Sequence, residues 1–277
     1  MGVGMAGQTQ IAGLRRACSI LFGVAVIAAG SAAWAQGQER VALAPVPKDC
    51  QTPGVVVVAD SPLPNLANVL RERKKITILA IGASSIGQRA STPGGYHALI
   101  EAFLERTFKG LDVIIINRGV SGELARDAAA RIKMEVALTG ADLVLWQVGT
   151  ADALARMSVG RFKVTVTDTI AWLKEHRVDT VLIGLRYTHG VARDAHYQAI
   201  RAAIRETAME NGVLRISRYE AVETIERIRQ DQGDPASEIE LGEAGYVCMA
   251  EYLARAIATN LFARERPPPG PPPTKAP

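Results

Sequence analysis

The stretch ILAIGASSIGQ, from Ile78 to Gln88, contains an apolar run that stops abruptly in a turn of small and hydroxyl-bearing residues. It is typical of a buried strand that ends at a functional loop. Three interpretations are open for that loop: a phosphate cradle, a nucleophilic Ser84, or only a turn. The GASSIG segment has the glycine spacing of a phosphate loop, but Gln88 and Arg89 stand where such a loop needs Lys and Ser or Thr. The phosphate interpretation is therefore disfavoured.

Four further apolar runs follow this stretch, and the segments between them have the 3.6-residue period of amphipathic helices. Near-continuous apolar strands are covered on both faces, as in parallel sheets built from βα units. The pattern therefore predicts an α/β fold, a flavodoxin-like three-layer sandwich around a five-stranded parallel sheet. The predicted strands are Ile76–Ile81, Asp112–Asn117, Asp142–Val148, Asp179–Leu185 and Val213–Ser217, and a helix over Leu63–Arg73 is predicted before the first.

In open sheets of this kind, ligands bind beyond the carboxyl ends of the strands. By this rule, five loops are candidates for ligand binding. They are residues 82–88, 118–122, 149–152, 186–190 and the late loop 233–241.

The two ends of the chain differ from its middle. Residues 1–35 combine a basic pair, a long uncharged run and an A-x-A site ending at Ala35, which predicts a cleaved secretory signal peptide. An uncleaved anchor helix is the alternative. Residues 36–49 are expected to be a linker, 50–263 the folded domain, and 264–277 a Pro-rich tail without helix or strand. The mature protein is therefore expected in the periplasm or secreted, without a membrane segment.

The charge and the polar motifs argue against several functional classes. The formal net charge is +4, and removal of Arg15 and Arg16 with the leader leaves +2, which argues against nucleic acid as a partner. The chain has no C-x-x-C or H-E-x-x-H motif, and its four histidines do not cluster at ligand spacing. We therefore predict no metal and no cofactor. Nothing in the sequence indicates an oligomeric state.

Two cysteines, Cys50 and Cys248, remain after the leader. In an oxidising compartment they could form one disulfide that ties the two ends of the domain together. The alternative is a free Cys248 buried on a helix. The sequence leaves both possibilities open.

Four stretches resemble the SGNH/GDSL hydrolase family, and especially exported bacterial members whose first block reads G-S-S-S-T. They are IGASSIG, NRGVSGE, LVLWQVGTADAL and IELGEAGYVCMAEYLARAI, and they follow the order of the family's blocks. The resemblance covers about residues 50 to 262. It implies an SGNH hydrolase-like domain that acts on a small-molecule or glycan acyl ester.

The resemblance also implies roles for individual residues. Ser84 takes the place of the nucleophile, and the backbone N–H groups of Ser84 and Gly119 take the places of oxyanion donors. Ser85, Thr150 and Tyr187 fall at positions expected to bind substrate. For Tyr187, the alternative is a tyrosine that simply packs inside its loop.

Three positions depart from the family's pattern. The third oxyanion donor, an asparagine in the family, corresponds to Ala151, while the acid and the base of the last block correspond to Ser237 and Glu240. Loss of one oxyanion donor typically removes ~10²–10³ in rate, and a serine without its base retains roughly 10³–10⁴ over water. The resemblance thus implies an ester hydrolase that is weak or inactive. The alternative is a non-catalytic protein that binds a glycan or a partner.

Two further polar residues have candidate roles. His189 lies in RYTHG just after the fourth predicted strand, and it could replace the missing base by pairing with Glu240 or Asp194. The alternative is a histidine on a surface loop. Asp152 is expected to cap the segment that follows it, because a carboxylate beside an oxyanion would oppose catalysis.

Overall fold

Five parallel strands form one sheet in the order β2-β1-β3-β4-β5 in the computed structural model of the chain. The structure describes residues 43–58, 61–82, 95–233 and 243–261. The strand order and the parallel pairing confirm the predicted flavodoxin-like sheet, and the observed strand bounds differ from the predicted ones by at most two residues. The strands are β1 (Lys75–Gly82), β2 (Asp112–Gly119), β3 (Leu143–Gln147), β4 (Asp179–Ile183) and β5 (Leu214–Ile216).

Helices connect the strands. The predicted helix before β1 is present, and it begins at Pro64, where a proline suits the first helical position because no hydrogen bond of its nitrogen is lost. The helices are α1 (Pro64–Glu72), α2 (Gly95–Thr107), α3 (Ala125–Thr139), α4 (Thr150–Leu154), α5 (Val159–Glu175), α6 (Ala195–Glu210), α7 (Arg218–Asp231) and α8 (Glu243–Asn260).

Both faces of the sheet are covered by apolar side chains. Successive side chains of a strand point to opposite faces, and in β1 Ile78 and Ala80 enter one core while Leu79 and Ile81 enter the other. Helices α1, α2 and α8 contribute to the first core, and α3, α5 and α6 to the second. Complete burial of one such side chain contributes about 1.5–3 kcal/mol, so the three-layer arrangement follows from the apolar strands.

Helix α2 covers the outer edge of β2, which is the first strand in the sheet order. The N–H of Val113 donates to Oε1 of Glu105 at 3.2 Å, and the N–H of Ile115 donates to Oε1 of Glu101 at 2.8 Å. These are alternate residues, because the N–H groups between them face β1. Two side chains of one helix therefore bind two of the outward N–H groups of an edge strand.

A disulfide joins the segment before β1 to α8. The bond links Cys50 and Cys248, with an S–S distance of 2.01 Å and a sequence separation of 198 residues. The Tyr252 hydroxyl, also on α8, donates to the backbone carbonyl of Cys50 at 2.5 Å. Of the two possibilities that the sequence left open, the structure shows the disulfide.

Several predicted segments lie outside the described residues. They include the signal peptide (1–35), the first half of the linker and the Pro-rich tail (264–277). In the described half of the linker, Leu43 and Val46 pack against the core.

Among the helices that the structure describes, none is long and apolar enough to cross a bilayer. Within the same residues, no group of three His, Cys, Asp or Glu side chains is arranged to hold a metal ion.

Candidate active site

All five strands end at the same level of the sheet, since Ile216 at the end of β5 pairs with Ile183 at the end of β4. Gly82, the last residue of β1, pairs with Gly119 of β2 on one side and with Gln147 of β3 on the other. Gln147 pairs in turn with Ile183 of β4. Since neighbouring strands lie ~4.8 Å apart, Gly82 and Ile183 are about 10 Å apart. The four nominated loops that follow β1 to β4 therefore start side by side at one edge, whereas the fifth, residues 233–241, follows α7.

Two of these strand ends require glycine. Gly82 has φ +104°, and a Cβ added there would lie 2.0 Å from the carbonyl oxygen of Gln147. Gly149, just after β3, has the same φ, and its Cβ would lie 2.6 Å from Cδ1 of Ile204. A side chain at either position would collide with its neighbours in a backbone conformation that favours glycine. The backbone therefore turns sharply at both glycines, where the chain leaves the sheet.

The predicted nucleophile lies outside the described residues. Ser84 and Ser85 follow Gly82 in the chain, and Ser237 and Glu240 belong to the last block, in a stretch that the structure does not describe either. Their roles stay predictions from the family resemblance.

The backbone N–H of Gly119 is hydrogen-bonded to a side chain of its own strand. It donates to Oδ1 of Asn117 at 2.9 Å, while the next N–H along the chain, that of Val120, donates to the carbonyl of Gly82 at 2.8 Å. Successive N–H groups of a strand point to opposite edges, so the Gly119 N–H is directed away from β1. A role for it as an oxyanion donor requires the Asn117 amide to release it.

The third block is tied to the loop after β4. Oγ1 of Thr150, the first residue of α4, accepts a hydrogen bond from the N–H of Arg186 at 3.1 Å. This contact places Tyr187, the next residue, in a loop held against the third block. Ala151 follows Thr150 directly and offers no polar side chain where the family has an amide.

Asp152 supplies a cap to α3, the helix before its own. Both of its carboxylate oxygens accept from the N–H of Ala125 at 3.1 Å, at the start of α3. The N-cap position of α3 is Leu124, whose side chain cannot accept a hydrogen bond, so a carboxylate from α4 supplies the acceptor. Burial raises the pKa of Asp152, and the Ala125 N–H opposes that shift. The N–H groups of Asp152 itself and of Gly149, at the start of α4, also lower this pKa. The carboxylate therefore faces the beginning of both helices.

His189 contacts a carboxylate that the sequence did not suggest. Its Nε2 lies 3.1 Å from Oε2 of Glu226 on α7, and its Nδ1 lies 3.3 Å from the Tyr187 hydroxyl. The His189 side chain is 59% exposed, whereas that of Glu226 is only 6% exposed. The edge of the sheet therefore carries a Tyr–His–Glu contact chain.

The predicted pairing of His189 with Asp194 is wrong. Asp194 accepts the N–H of Tyr197 at 2.7 Å as the N-cap of α6, and both of its oxygens contact the Arg156 guanidinium at 2.9 and 2.6 Å. The Tyr197 N–H and the Arg156 guanidinium lower the pKa of this carboxyl. The other predicted partner, Glu240, lies outside the described residues.

The ring of Tyr187 packs against the core, and its hydroxyl contacts His189. Its ring contacts both hydrophobic cores, so it lies at the edge of the sheet where the two faces meet. The ring also meets Tyr219 edge to face, with centroids 5.0 Å apart. Burial raises the pKa of Tyr187, and the carboxylates of Glu223 and Glu226 raise it further. The phenol is therefore protonated at neutral pH.

Sequence reasoning missed Glu226 because no motif marks it. It lies in ETIERI on α7, well separated in sequence from His189. The amphipathic pattern predicts a helix here, but only the tertiary fold determines which helical carboxylate meets the loop after β4.

Comparison with known proteins agrees with this architecture. The model of the Non-GDSL lipase-like family matches residues 49–262. Among solved structures, a lipase/acylhydrolase from Enterococcus faecalis is 20% identical with a TM-score of 0.55, and the match covers 69% of this chain and 100% of that one. A catalytic mutant of an acetylxylan esterase from Geobacillus stearothermophilus is 18% identical with a TM-score of 0.54, over 69% and 97% of the two chains.

An α/β hydrolase enzyme from the metagenome of Lake Arreo, Spain, is 19% identical with a TM-score of 0.54, over 67% of this chain and 96% of that one. At such identities the similarity concerns the fold alone. No curated protein matches the chain significantly.

Proposed function

Because the chain belongs to the Non-GDSL lipase-like family and through it to the SGNH/GDSL hydrolases, we propose that it is an exported hydrolase of acyl esters with slow turnover. The observation that carries the proposal is the register of the sheet. Gly82, two residues before Ser84, is level with the ends of β2, β3 and β4. Residues from several strand ends can therefore meet one substrate there.

The proposed reaction has two steps. The Ser84 oxygen attacks the acyl carbon, the ester C–O bond breaks, and the alcohol leaves with a proton. Water then attacks the acyl-serine ester, which releases the carboxylic acid and restores the serine. Ser85, Thr150 and Tyr187 border the substrate in this proposal. The substrate is a small-molecule or glycan ester, such as an acetyl ester, and the acetylxylan esterase with a similar fold supports that class.

Slow turnover follows from three substitutions. Ala151 cannot donate a hydrogen bond, and Ser237 and Glu240 replace the acid and the base of the last block. Loss of the amide donor alone removes ~10²–10³ in rate. The backbone N–H groups of Ser84 and Gly119 must then stabilise the oxyanion, and that of Gly119 must first be released by Asn117.

The location proposed for the protein is the periplasm or the exterior of the cell. The leader-like residues 1–35 support it, and so does the disulfide between Cys50 and Cys248, because such bonds persist in oxidising compartments.

Hydrolysis of p-nitrophenyl acetate and labelling by a fluorophosphonate test the proposal. We expect slow hydrolysis and covalent labelling of the wild-type protein, and loss of both in Ser84→Ala because the attacking oxygen is gone. Ser158→Ala is the matched control, since Ser158 is exposed at the start of α5. Equal rates in Ser84→Ala and the wild type, or no reaction in either, would contradict the proposal.

The second candidate is a non-catalytic protein that binds a glycan or a partner. It is favoured by the Gly119 N–H, which is bound to Asn117, and by the absence of an amide at position 151. Unlabelled protein that still binds an acetylated oligosaccharide in calorimetry, equally well with Ser84→Ala, would support this candidate over the hydrolase.

A further inference from the structure

We propose that Arg201, Arg205 and Arg215 bind the phosphate group of a small ligand beside β5, at the opposite end of the sheet from β2. The three side chains come from α6 and β5, and all of them belong to the part of the chain that the structure describes. The site therefore goes beyond the proposed ester hydrolysis and does not depend on it.

Arg215 is a charged residue in an otherwise apolar strand. Its neighbours in β5, Leu214 and Ile216, enter the first hydrophobic core. Successive side chains of a strand point to opposite faces, so Arg215 points toward the face that α6 covers. Its side chain is only 14% exposed. A guanidinium in such a position is costly unless anionic or acceptor groups approach it.

The protein itself supplies few acceptors for this guanidinium. Nη1 of Arg215 lies 3.8 Å from Oε1 of Glu220, which is longer than a hydrogen bond. Among the described residues, no group accepts a hydrogen bond from the Arg215 side chain. Burial lowers the pKa of Arg215, and the Glu220 carboxylate only partly opposes this shift. Because an arginine has five N–H donors, those of Arg215 are available to a ligand.

Two further guanidiniums lie close to Arg215. Nη2 of Arg201 lies 3.2 Å from the same oxygen of Glu220, so the side chains of Arg201 and Arg215 converge on one point. Arg205 lies one turn farther along α6 on the same face, and its positive charge also lowers the pKa of Arg215. The Arg205 guanidinium has no ion-pair partner within the described part of the chain. Three arginines therefore surround a single carboxylate.

The charge and the shape of this cluster suit a phosphate group. Three guanidiniums and one carboxylate leave two positive charges unbalanced, and a phosphate monoester carries about two negative charges near neutral pH. Guanidinium groups also donate pairs of parallel N–H bonds to phosphate oxygens. The guanidinium of Arg201 stacks 3.9 Å from the ring centroid of Tyr219, and its Nη1 donates to Oε1 of Gln198 at 2.9 Å. Part of the site is therefore oriented before a ligand binds, which favours binding.

Calorimetry with inorganic phosphate at low ionic strength tests the site. We expect the wild type to bind one phosphate per molecule. Arg215→Gln should weaken this binding by ~10–100-fold, because hydrogen bonds from a charged donor are lost. Arg205→Gln should weaken it by a smaller factor, since Arg205 is exposed. Glu220→Gln should strengthen it, because the carboxylate that competes with phosphate for the arginines is removed.

Arg161→Gln is the matched control. It removes an exposed guanidinium on α5 that has no ion-pair partner among the described residues, so its affinity for phosphate should equal that of the wild type. Phosphate should also raise the thermal unfolding midpoint of the wild type and of Arg161→Gln, and raise that of Arg215→Gln much less. If Arg215→Gln does not fold, Arg205→Gln and Glu220→Gln decide the question.

Glucose 1-phosphate and glucose identify the kind of ligand. Tighter binding of glucose 1-phosphate than of inorganic phosphate assigns the site to a phosphorylated sugar, whereas equal or weaker binding assigns it to free phosphate. The proposal is wrong if the wild type binds neither phosphate compound, or if glucose binds as tightly as glucose 1-phosphate. It is also wrong if Arg205→Gln and Glu220→Gln both keep the wild-type affinity for phosphate. None of these measurements involves ester hydrolysis, so their failure leaves the proposed hydrolase standing.

Discussion

His97 is a buried histidine, and we expect it to make the stability of the fold depend on acid. His97 lies at the start of α2, is 6% exposed, and its Nε2 has no hydrogen-bond partner among the described residues. Burial lowers the pKa of His97 from 6.5 to about 4. The imidazole is therefore neutral in the folded protein under conditions in which the unfolded chain binds a proton there.

The free energy of unfolding should fall as the pH drops from about 6.5 to about 4. The folded-state pKa is lowered, so the unfolded state takes up the proton first, and the total loss is on the order of 3 kcal/mol. Urea unfolding across this range measures it. His97→Leu should make this part of the pH dependence disappear, whereas exposed His176→Gln should leave it. If His97→Leu loses as much free energy of unfolding on acidification as the wild type, His97 is not the source of the pH dependence.

At the scale of elements, helix α3 depends on a cap from outside itself. Its own N-cap residue, Leu124, contributes no side-chain hydrogen bond, and Asp152 of α4 supplies the acceptor to the Ala125 N–H. The short α4 is thereby fixed to α3. Because α4 begins with Thr150, which also binds the loop after β4, one short helix joins two strand-end loops.

Two substitutions at Asp152 should distinguish the effect of its hydrogen bond on stability from the effect of its negative charge. Asp152→Ala should destabilise the protein by about 1 kcal/mol or more, because the N–H of Ala125 loses its acceptor. Asp152→Asn keeps an acceptor oxygen and removes a charge whose burial raises the pKa, so it should be at least as stable as the wild type near neutral pH.

The free energies of unfolding of Asp152→Asn and the wild type should become more similar as the pH falls through the raised folded-state pKa of Asp152. The wild-type carboxyl then becomes neutral too. Thermal unfolding at several pH values measures both effects. If the stability difference between Asp152→Asn and the wild type grows on acidification, the raised pKa of Asp152 is wrong.

The sheet was predictable from sequence because its strands are apolar on both faces and therefore appear as short, continuous runs. The strand-end glycines and the position of His189 followed from the same pattern. The cap from Asp152 and the contact between His189 and Glu226 were not predictable, because each joins residues far apart in the chain. Neither contact has a local motif, so both depend on how the helices pack.

At the scale of the whole molecule, one covalent bond joins the two ends of the domain. The disulfide connects Cys50, before β1, to Cys248 on α8 across 198 residues. In a chain without the bond, the unfolded state has more conformations, because this long loop is open. Ser237 and Glu240, which the resemblance aligns with the acid and the base of the last block, directly precede α8 in the chain. The bond therefore anchors the helix that follows them.

Reduction of the disulfide should destabilise the folded domain by about 2–5 kcal/mol. Urea unfolding with and without a phosphine reductant measures the difference, and free-thiol titration should find no reactive cysteine in the oxidised mature protein. The Cys50→Ser/Cys248→Ser variant should match the reduced wild type and should not respond to the reductant. If the reductant shifts the variant and the wild type equally, the effect does not come from this bond.

The carboxylates of Glu101 and Glu105 also occupy part of the outer edge of the sheet. An uncovered edge strand offers backbone N–H and C=O groups on which another chain can add a strand, and such pairing is a route to aggregation. Along β2, two of those N–H groups are already bound to side chains of α2. A second molecule would have to displace both carboxylates before it could pair there. The helix that follows the candidate nucleophile loop therefore also protects the protein against edge-to-edge self-association.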